Sequence, residues 1–480
     1  PGAAVETGIE VAGTNDKPLL LAGIVVLALA FGAMLGWLAI RLPRVADAGV
    51  LAFGALGGWA AARNPFSGAV QSWVASLAAA LLAIGVRRVL IAVAELPPGV
   101  LPVREPRGDR GHDAPAAASA AATDDPMPGR RAFLSLCVAV GAVAAGAATI
   151  GRARRNARGV AGLRDAVVLP PAAAPPERVS GTLDGIAPRL SPYITPNDDF
   201  YRIDTALVVP QVDPAEWRLR VGGLVDRPFE LTYDEILAMD LVEETVTLAC
   251  VSNEVGGRLV GNARWLGVPL TTLLDRAGVR PEGTQIVGVS VDDFDAGFPT
   301  ELAYDGRTAL LAVGMNGEPL PIEHGFPARL VVSGLYGYVS AVKWIREIRL
   351  DTDDFDGYWI PRGWSKHGPV KTQSRIDVPR RDANLTAGRV PIAGVAWAPS
   401  VGIEAVEVRI DDEPWRLCRL GDATSDDTWV QWVTYWDATP GRHRIAVRAT
   451  DKRGMVQPGE RTSRAPSGAE GHHTIVVNVD

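Results

Sequence analysis

The chain has 480 residues, 47% hydrophobic and 21% charged, with a formal net charge of −7. That length exceeds one comfortable core, so about three units are expected, and the acidic balance argues against nucleic acid as the main partner. Three scattered cysteines with no CxxC pair exclude a zinc ribbon, a thioredoxin-type motif and a disulfide framework. The first residue is Pro1 rather than Met, so a piece ahead of it is an expectation.

The N-terminal third reads as membrane. "LLLAGIVVLALAFGAMLGWLAI", residues 19–40, carries no charge over a bilayer-spanning length. A weaker apolar span covers 46–62, with Asp47 at its edge. A charge-free stretch ending at Arg87–Arg88 sets a third span over 69–93, and "AFLSLCVAVGAVAAGAATIG" a fourth over 132–151. Residues 1–151 are therefore expected to form an anchor of about four transmembrane helices. Between the third and fourth spans, a Pro-, Ala- and Gly-rich loop leads into "GRRAFLSL". The Arg130–Arg131 pair before an apolar run resembles a twin-arginine export signal, with Ser135 where a lysine usually follows. The other reading is a pair of positive-inside anchors. Arg41, Arg44, Arg87, Arg88, Arg130 and Arg131 can share the cytoplasmic side if residue 19 starts outside, which delivers residue 152 onward to the extracytoplasmic side; Arg152, Arg154, Arg155 and Arg158 run against that bias. None of the six histidines falls in these spans. Haem is usually ligated by histidine, so no haem is expected there.

"VVLPPAAAPPERVSG" marks a Pro/Ala linker, set at 152–180. From 181 to 385, strand-like runs such as "WRLRVGGLV" alternate with short helical stretches, "TYDEILAM" and "PLTTLLDRAG", which is α+β texture. From 386 to 480 the pattern is all β. "VEVRI", "WRLCRL", "RIAVRAT" and "HTIVVNV", separated by turn residues, predict a β-sandwich.

Three stretches carry chemistry. "TLACVSNEVGG" places Cys250 at the end of a β-rich run, before a glycine-bearing loop. "GMNGEPLPIEHGFPARLVVSG" and "YGYVSAVKWI" set polar and basic residues among glycines beside apolar runs. Alone, Cys250 reads as an inert buried thiol, His324 as an ordinary loop histidine, and Arg329 and Lys343 as surface charges. Yet Arg329 and Lys343 sit inside apolar strand-like runs, where an unpaired charge is costly. An anionic partner or ligand should meet them.

Together, "LACVSNEVGG", "RWLGVPL", "MNGEPLP", "HGFPARLVVSG" and "SAVKWI" resemble the sulfite oxidase family of molybdopterin enzymes, over residues 180–480. The tail resembles that family's immunoglobulin-like dimerisation domain. With the apolar runs read as N-terminal transmembrane α-helices, the resemblance implies a multi-domain chain that adds an α+β molybdopterin-binding domain and a C-terminal all-β immunoglobulin-like sandwich. It implies molybdenum–molybdopterin as cofactor and Cys250 as the thiolate on molybdenum, a soft ligand suited to that metal. It also implies pterin contacts from His324 and Arg329, and a backbone and lysine clamp on the pterin phosphate end from Ser340, Ala341, Val342 and Lys343. "NDDFYRIDT" is similar to the start of the bacterial periplasmic methionine sulfoxide reductase, which adds Asp198, Tyr201 and Arg202 as cofactor-side positions.

Two departures concern the substrate. Val313 stands where animal and plant sulfite oxidases have a tyrosine, and "VSNEVGG", with Glu254, replaces their arginine-bearing loop. A doubly charged sulfite would therefore meet a less positive pocket. The expected protein is a multi-pass bacterial membrane oxidoreductase with an extracytoplasmic catalytic domain, transferring an oxygen atom to or from a small molecule. Sulfite dehydrogenase, a sulfoxide or N-oxide reductase and, remotely, a non-enzymatic binding module are the alternatives. A separate electron carrier (a cytochrome or a quinone-linked protein) is expected, with a homodimer or a respiratory assembly as the larger unit.

Overall fold

The computed structural model describes residues 16–62, 69–94, 159–174, 179–206 and 208–480, with single positions between 135 and 149. It divides into two units, Thr14–Gly159 and Val160–Asp480.

In the first unit the apolar runs form α1 (Asp16–Arg41), α2 (Pro43–Ala62) and α3 (Ala69–Ala94). Pro43 occupies the first turn of α2, where its missing N–H costs nothing, so the chain breaks there and restarts. Three segments, Ala22–Arg41, Pro43–Ala62 and Ala69–Ala92, are long and apolar enough to cross a membrane. The faces of α1 and α3 are not segregated into apolar and polar sides; Leu27, Ile40, Val70 and Leu82 are all exposed. Helices α2 and α3 run antiparallel. Gly54 lies against Ala80 and Gly58 against Trp73, so two glycines on one face let the backbones approach. At one end of this pair Asp47 accepts hydrogen bonds from Arg87 and, at 2.7 Å, from Arg88. The expected fourth span lies largely outside the described residues, and Arg130, Arg131 and the arginines at 152–158 lie wholly outside them.

The second unit contains four sheets. One five-stranded sheet has the order β2-β1-β10-β5-β6, from β1 (Arg218–Gly223), β2 (Phe229–Thr232), β5 (Gln285–Ser290), β6 (Asp295–Pro299) and β10 (Ile345–Asp351); only β1 and β10 pair in parallel. A second takes β3 (Val242–Ala249), β4 (Val260–Pro269), β7 (Ala309–Met315) and β8 (Glu318–Pro319), with β9 (Arg329–Val332) on the free side of β7. Their shared core includes Leu219, Ile236, Trp265, Phe298, Leu311 and Ile348, all essentially inaccessible. After a short turn, α4 (Ala161–Asp165), the linker lies on this core through Val167, Leu169 and Ala172.

Local chemistry explains the connections. Helix α5 (Tyr233–Leu237) starts with a capping box, in which Thr232 Oγ1 accepts from Glu235 N at 3.1 Å and the Glu235 carboxylate accepts from Thr232 N at 2.8 Å. Helix α6 (Leu270–Ala277) buries Leu270, Leu273, Leu274 and Ala277 along one stripe and ends at Gly278, φ +69°. The "MNG" motif is a two-residue hairpin between β7 and β8, with Asn316 and Gly317 both at positive φ.

The C-terminal region is two facing sheets around Trp432, Ile445, Val447, Ile475 and Val477. One has β11 (Gln373–Val378), β13 (Gly388–Trp397), β17 (Val430–Ala438) and β16 (Arg419–Leu420) in the order β11-β13-β17-β16. The other has β12 (Asn384–Leu385), β19 (His473–Val479), β18 (Gly441–Asp451), β14 (Ile403–Ile410) and β15 (Arg416–Leu417) in the order β12-β19-β18-β14-β15. Strands of these sheets thus begin at Gln373, ahead of residue 386. The last helix, α7 (Gly337–Ser340), leads into the candidate site.

Candidate active site

Strand β3 is fixed on one edge by β4 and ends at Ala249, so Cys250 emerges where the ladder stops. Its N–H donates to Leu259 O at 2.9 Å, and Ser252 N–H donates to its sulfur at 3.4 Å. The thiol faces a cleft lined also by Phe200, Tyr201, Asp204, Ser290, Asp292, Phe294, His324, Arg329, Ala341, Lys343, Trp344, Trp359 and Trp364. Burial pushes the thiol pKa upward, and the Ser252 N–H and Arg464 pull against it.

The basic wall comes from the 322–344 segment. His324 ends a one-turn 3-10 helix, Ile322–His324, and Gly325 at φ +115° turns the chain where any Cβ would meet Arg329 and Lys343. His324 Nε2 lies 3.2 Å from Asn197 O; a carbonyl only accepts, so Nε2 carries the proton and Nδ1 is the acceptor. Burial, then the positive Arg329 and Lys343, hold its pKa down at about 4, so the ring is neutral. Arg329 is buried in β9, with its guanidinium 5.1 Å from the Trp265 ring centre. Its hydrogen bonds go to His324 O (3.1 Å) and Leu330 O (3.3 Å), and among the described residues it has no carboxylate partner. Burial brings its pKa down to about 10.

Lys343 does have an acidic partner. Its Nζ donates to Asp204 Oδ2 at 2.8 Å and to Glu323 O at 3.0 Å, and the same carboxylate oxygen accepts from Arg202 Nε at 3.0 Å. Burial lowers the Lys343 pKa to about 8, against the opposing pull of Asp204. The next residue, Trp344, sits at φ +50°, a strained conformation for a bulky side chain, held by its indole N–H donating to Ile322 O at 2.7 Å.

The expected site residues divide. Cys250, Tyr201, His324, Arg329, Ala341 and Lys343 line one cleft. Tyr201 stacks on Phe200, and burial raises its pKa. Four other positions do not line the cleft: Ser340 and Val342, expected through their backbone, and Asp198 and Arg202. Ser340 Oγ donates to Tyr336 O at 3.2 Å, which closes its own turn. Val342 is fully buried and packs beside Gly288 in the first core. Asp198 is exposed in the turn Asn197–Asp199. Arg202 is exposed too and reaches the cleft only through Asp204. Val313 is fully buried in the core, away from the cleft lining.

Sequence reasoning missed Asp204, whose role depends on Lys343 arriving from 139 positions away. It also missed the hold that the C-terminal region has on the Cys250 loop. Arg464 NH1 donates to Glu254 Oε1 at 2.8 Å, Arg461 NH2 to Val255 O at 3.4 Å and Arg375 NH1 to Gly257 O at 2.9 Å. Gly256, at φ +80°, packs against the His473 ring where any Cβ would collide. No local signal identifies these contacts.

Comparison with known proteins gives the family. The family model of the oxidoreductase molybdopterin binding domain matches residues 206–359. Rat mitochondrial sulfite oxidase is 32% identical over 260 residues, covering 46% of this chain and 47% of that protein. An uncharacterised oxidoreductase of Bacillus subtilis (strain 168) is 33% identical over 183 residues, covering 38% of this chain and 88% of that protein. The crystal structure of the sulfane dehydrogenase SoxCD from Paracoccus pantotrophus superposes with a TM-score of 0.53 at 26% identity, covering 61% of this chain and 84% of that one. The chain belongs to the sulfite oxidase family of molybdopterin-dependent oxidoreductases. It spans about half the length of several curated relatives, such as the rat enzyme at 47%.

The residues present fit that family's cofactor. Arg329 is a buried guanidinium whose hydrogen bonds go to backbone carbonyls, Lys343 and the neutral His324 stand beside it, and a thiol faces the same space. That donor set suits an anionic organic ligand carrying a thiophilic metal. Among the described residues no group of three or more His, Cys, Asp or Glu could hold a metal ion unaided.

Proposed function

We propose that the chain is a membrane-anchored, extracytoplasmic molybdenum–molybdopterin enzyme that moves one oxygen atom to or from a small molecule. The supporting observation is the convergence of Cys250 with His324, Arg329 and Lys343 on one cleft, from segments more than 70 residues apart. Cys250 would hold the metal as thiolate, and Arg329, Lys343 and the Nδ1 face of His324 would take the anionic and polar parts of the pterin. Tyr201 and Ala341 would close the cofactor's remaining sides. Bound there, the group supplies two-electron chemistry, X + H2O → XO + 2 H+ + 2 electrons or its reverse. The protein's part is to orient, to keep water ordered and to neutralise charge.

The three apolar helices support membrane attachment. The joint hold of Arg87 and Arg88 on Asp47 gathers charges of α2 and α3 at one end, as a positive-inside arrangement with residue 19 outside requires. The C-terminal region is read as the family's immunoglobulin-like domain, and a separate electron carrier, a cytochrome or quinone-linked protein, as the redox partner. A homodimer or a respiratory assembly is the larger unit.

The test is Cys250→Ser in the full chain, produced in cells that make the cofactor. Loss of molybdenum, or a changed metal spectrum with loss of turnover, is expected. Full metal content and full activity would refute the assignment. Protease added to intact spheroplasts should digest the region after residue 160; protection of that region would put it on the other side.

A further inference from the structure

We infer that Asn197 is a positioning residue for the basic wall: its backbone carbonyl fixes the orientation of His324, so that Nδ1 stays free to accept a hydrogen bond from the cofactor. The inference rests on the reading that His324 contacts the pterin. Asn197 opens the 3-10 turn Asn197–Asp199. Its carbonyl accepts from Phe200 N at 3.3 Å, which closes that turn, and from His324 Nε2 at 3.2 Å. Both lone pairs are then used. The Phe200 ring stands edge-on to the imidazole, with ring centres 5.5 Å apart. A half-turn of the imidazole would set a ring carbon against the carbonyl, so this one contact selects rotamer as well as tautomer.

The hairpin of the "MNG" motif holds that carbonyl in place. Asn316 Nδ2 donates to Asn197 Oδ1 at 2.8 Å and to Thr195 O at 2.9 Å, while Asn316 Oδ1 accepts from Arg264 N at 2.9 Å. The Asn197 amide in turn donates to Glu318 Oε1. Glu318 Oε2 lies 3.1 Å from Arg164 NH2, and Arg164 also donates to Pro319 O at 2.6 Å and to Leu320 O at 2.9 Å. Both ends of the Asn197 amide are thus committed to one hairpin, which the linker secures from its far side through Arg164. None of Asn197, Asn316, Glu318 and Arg164 lines the cleft. Their effect on a bound ligand must pass through a residue that does, and His324 is the lining side chain to which Asn197 is hydrogen-bonded.

The experiment uses full-chain holoenzyme in detergent, with its pterin and molybdenum content verified. In 15N spectra of histidine-labelled protein, His324 is identified by the signal lost in His324→Asn, and in wild type it should carry its proton on Nε2. Asn197→Asp sets a carboxylate against Glu318 and should release pterin about fivefold faster on dilution, the worth of one hydrogen bond. Asn197→Ala, which loses the same bonds without the repulsion, is the second variant and should also speed release. Adding Glu318→Gln to Asn197→Asp restores the bond with donor and acceptor exchanged, and should return the rate to that of wild type. In a His324→Asn background, Asn197→Asp should bring no further loss. A wild-type proton on Nδ1 overturns the inference. So does an unchanged release rate in both Asn197 variants, or an equal further loss in the His324→Asn background, which would mark a purely structural role. These results leave the cofactor reading standing. Wild type that takes up no pterin, with His324 still protonated on Nε2, overturns that reading instead.

Discussion

The two walls of the cleft are built in opposite ways. The basic wall, His324 through Trp344, is a nearly continuous run of chain that folds on itself around Gly325 and β9. The Cys250 wall is the ten-residue loop 250–259, held from outside by Arg375, Arg461, Arg464 and His473, up to 217 residues away. The first is a local motif carrying its own charges. The second has its position fixed by another layer of the molecule, so a substitution far from the cleft can disturb it.

The largest expected effect falls on the basic wall. Lys343→Ala takes the ammonium away from the buried Asp204 carboxylate but leaves Arg202 Nε on it, and should cost about 3 kcal/mol in denaturant unfolding, the low end for a broken buried pair. A Lys343→Met/Asp204→Leu double variant that is no more stable than Lys343→Ala would show that the pair is not the cause.

The next separates the walls by pH. His473 Nδ1 accepts from Ile376 N at 2.9 Å, and burial holds both His473 and His324 at about 4, below the ordinary 6.5. Below 6.5 the unfolded chain binds protons that the folded one refuses, so stability is complete above that pH and falls as pH drops towards 4. Each imidazole contributes up to about 3 kcal/mol. Melting temperatures should decline across that window, and His473→Gln should flatten its own share while leaving that of His324.

Arg329→Met should stabilise the cofactor-free protein by about 2 kcal/mol, because a buried guanidinium without a carboxylate is removed, while weakening cofactor retention. Thermal melting of apo protein and molybdenum content after desalting read the two effects. Opposite signs are expected. Gly256→Ala should cost at least about 1 kcal/mol, from the left-handed backbone alone, and should lower turnover more than metal content, since the loop but not Cys250 shifts.

How legible each wall was follows from these constructions. Arg329 and Lys343 drew notice because a charge inside an apolar run is costly without an anionic partner, whereas His324 entered only through the family resemblance. The side chains of Ser340 and Val342 face their own backbone and the core, so any contact they make with a cofactor comes through the main chain, as the resemblance implies. Val313, which the motif alignment singled out, is core. The first span and the capped helix at Thr232 were visible as local patterns, since hydropathy and capping depend on neighbours in sequence.

By itself the sequence determined the apolar helices, the change from mixed to all-β texture, and a cysteine with a downstream basic segment, because each is a property of contiguous residues. Only the tertiary structure decided that Asp204 neutralises Lys343, that Arg329 hydrogen-bonds to carbonyls rather than to a carboxylate, and that Arg464 is spent on Glu254. Those outcomes depend on which distant residues the fold brings together, and no local pattern encodes that distance.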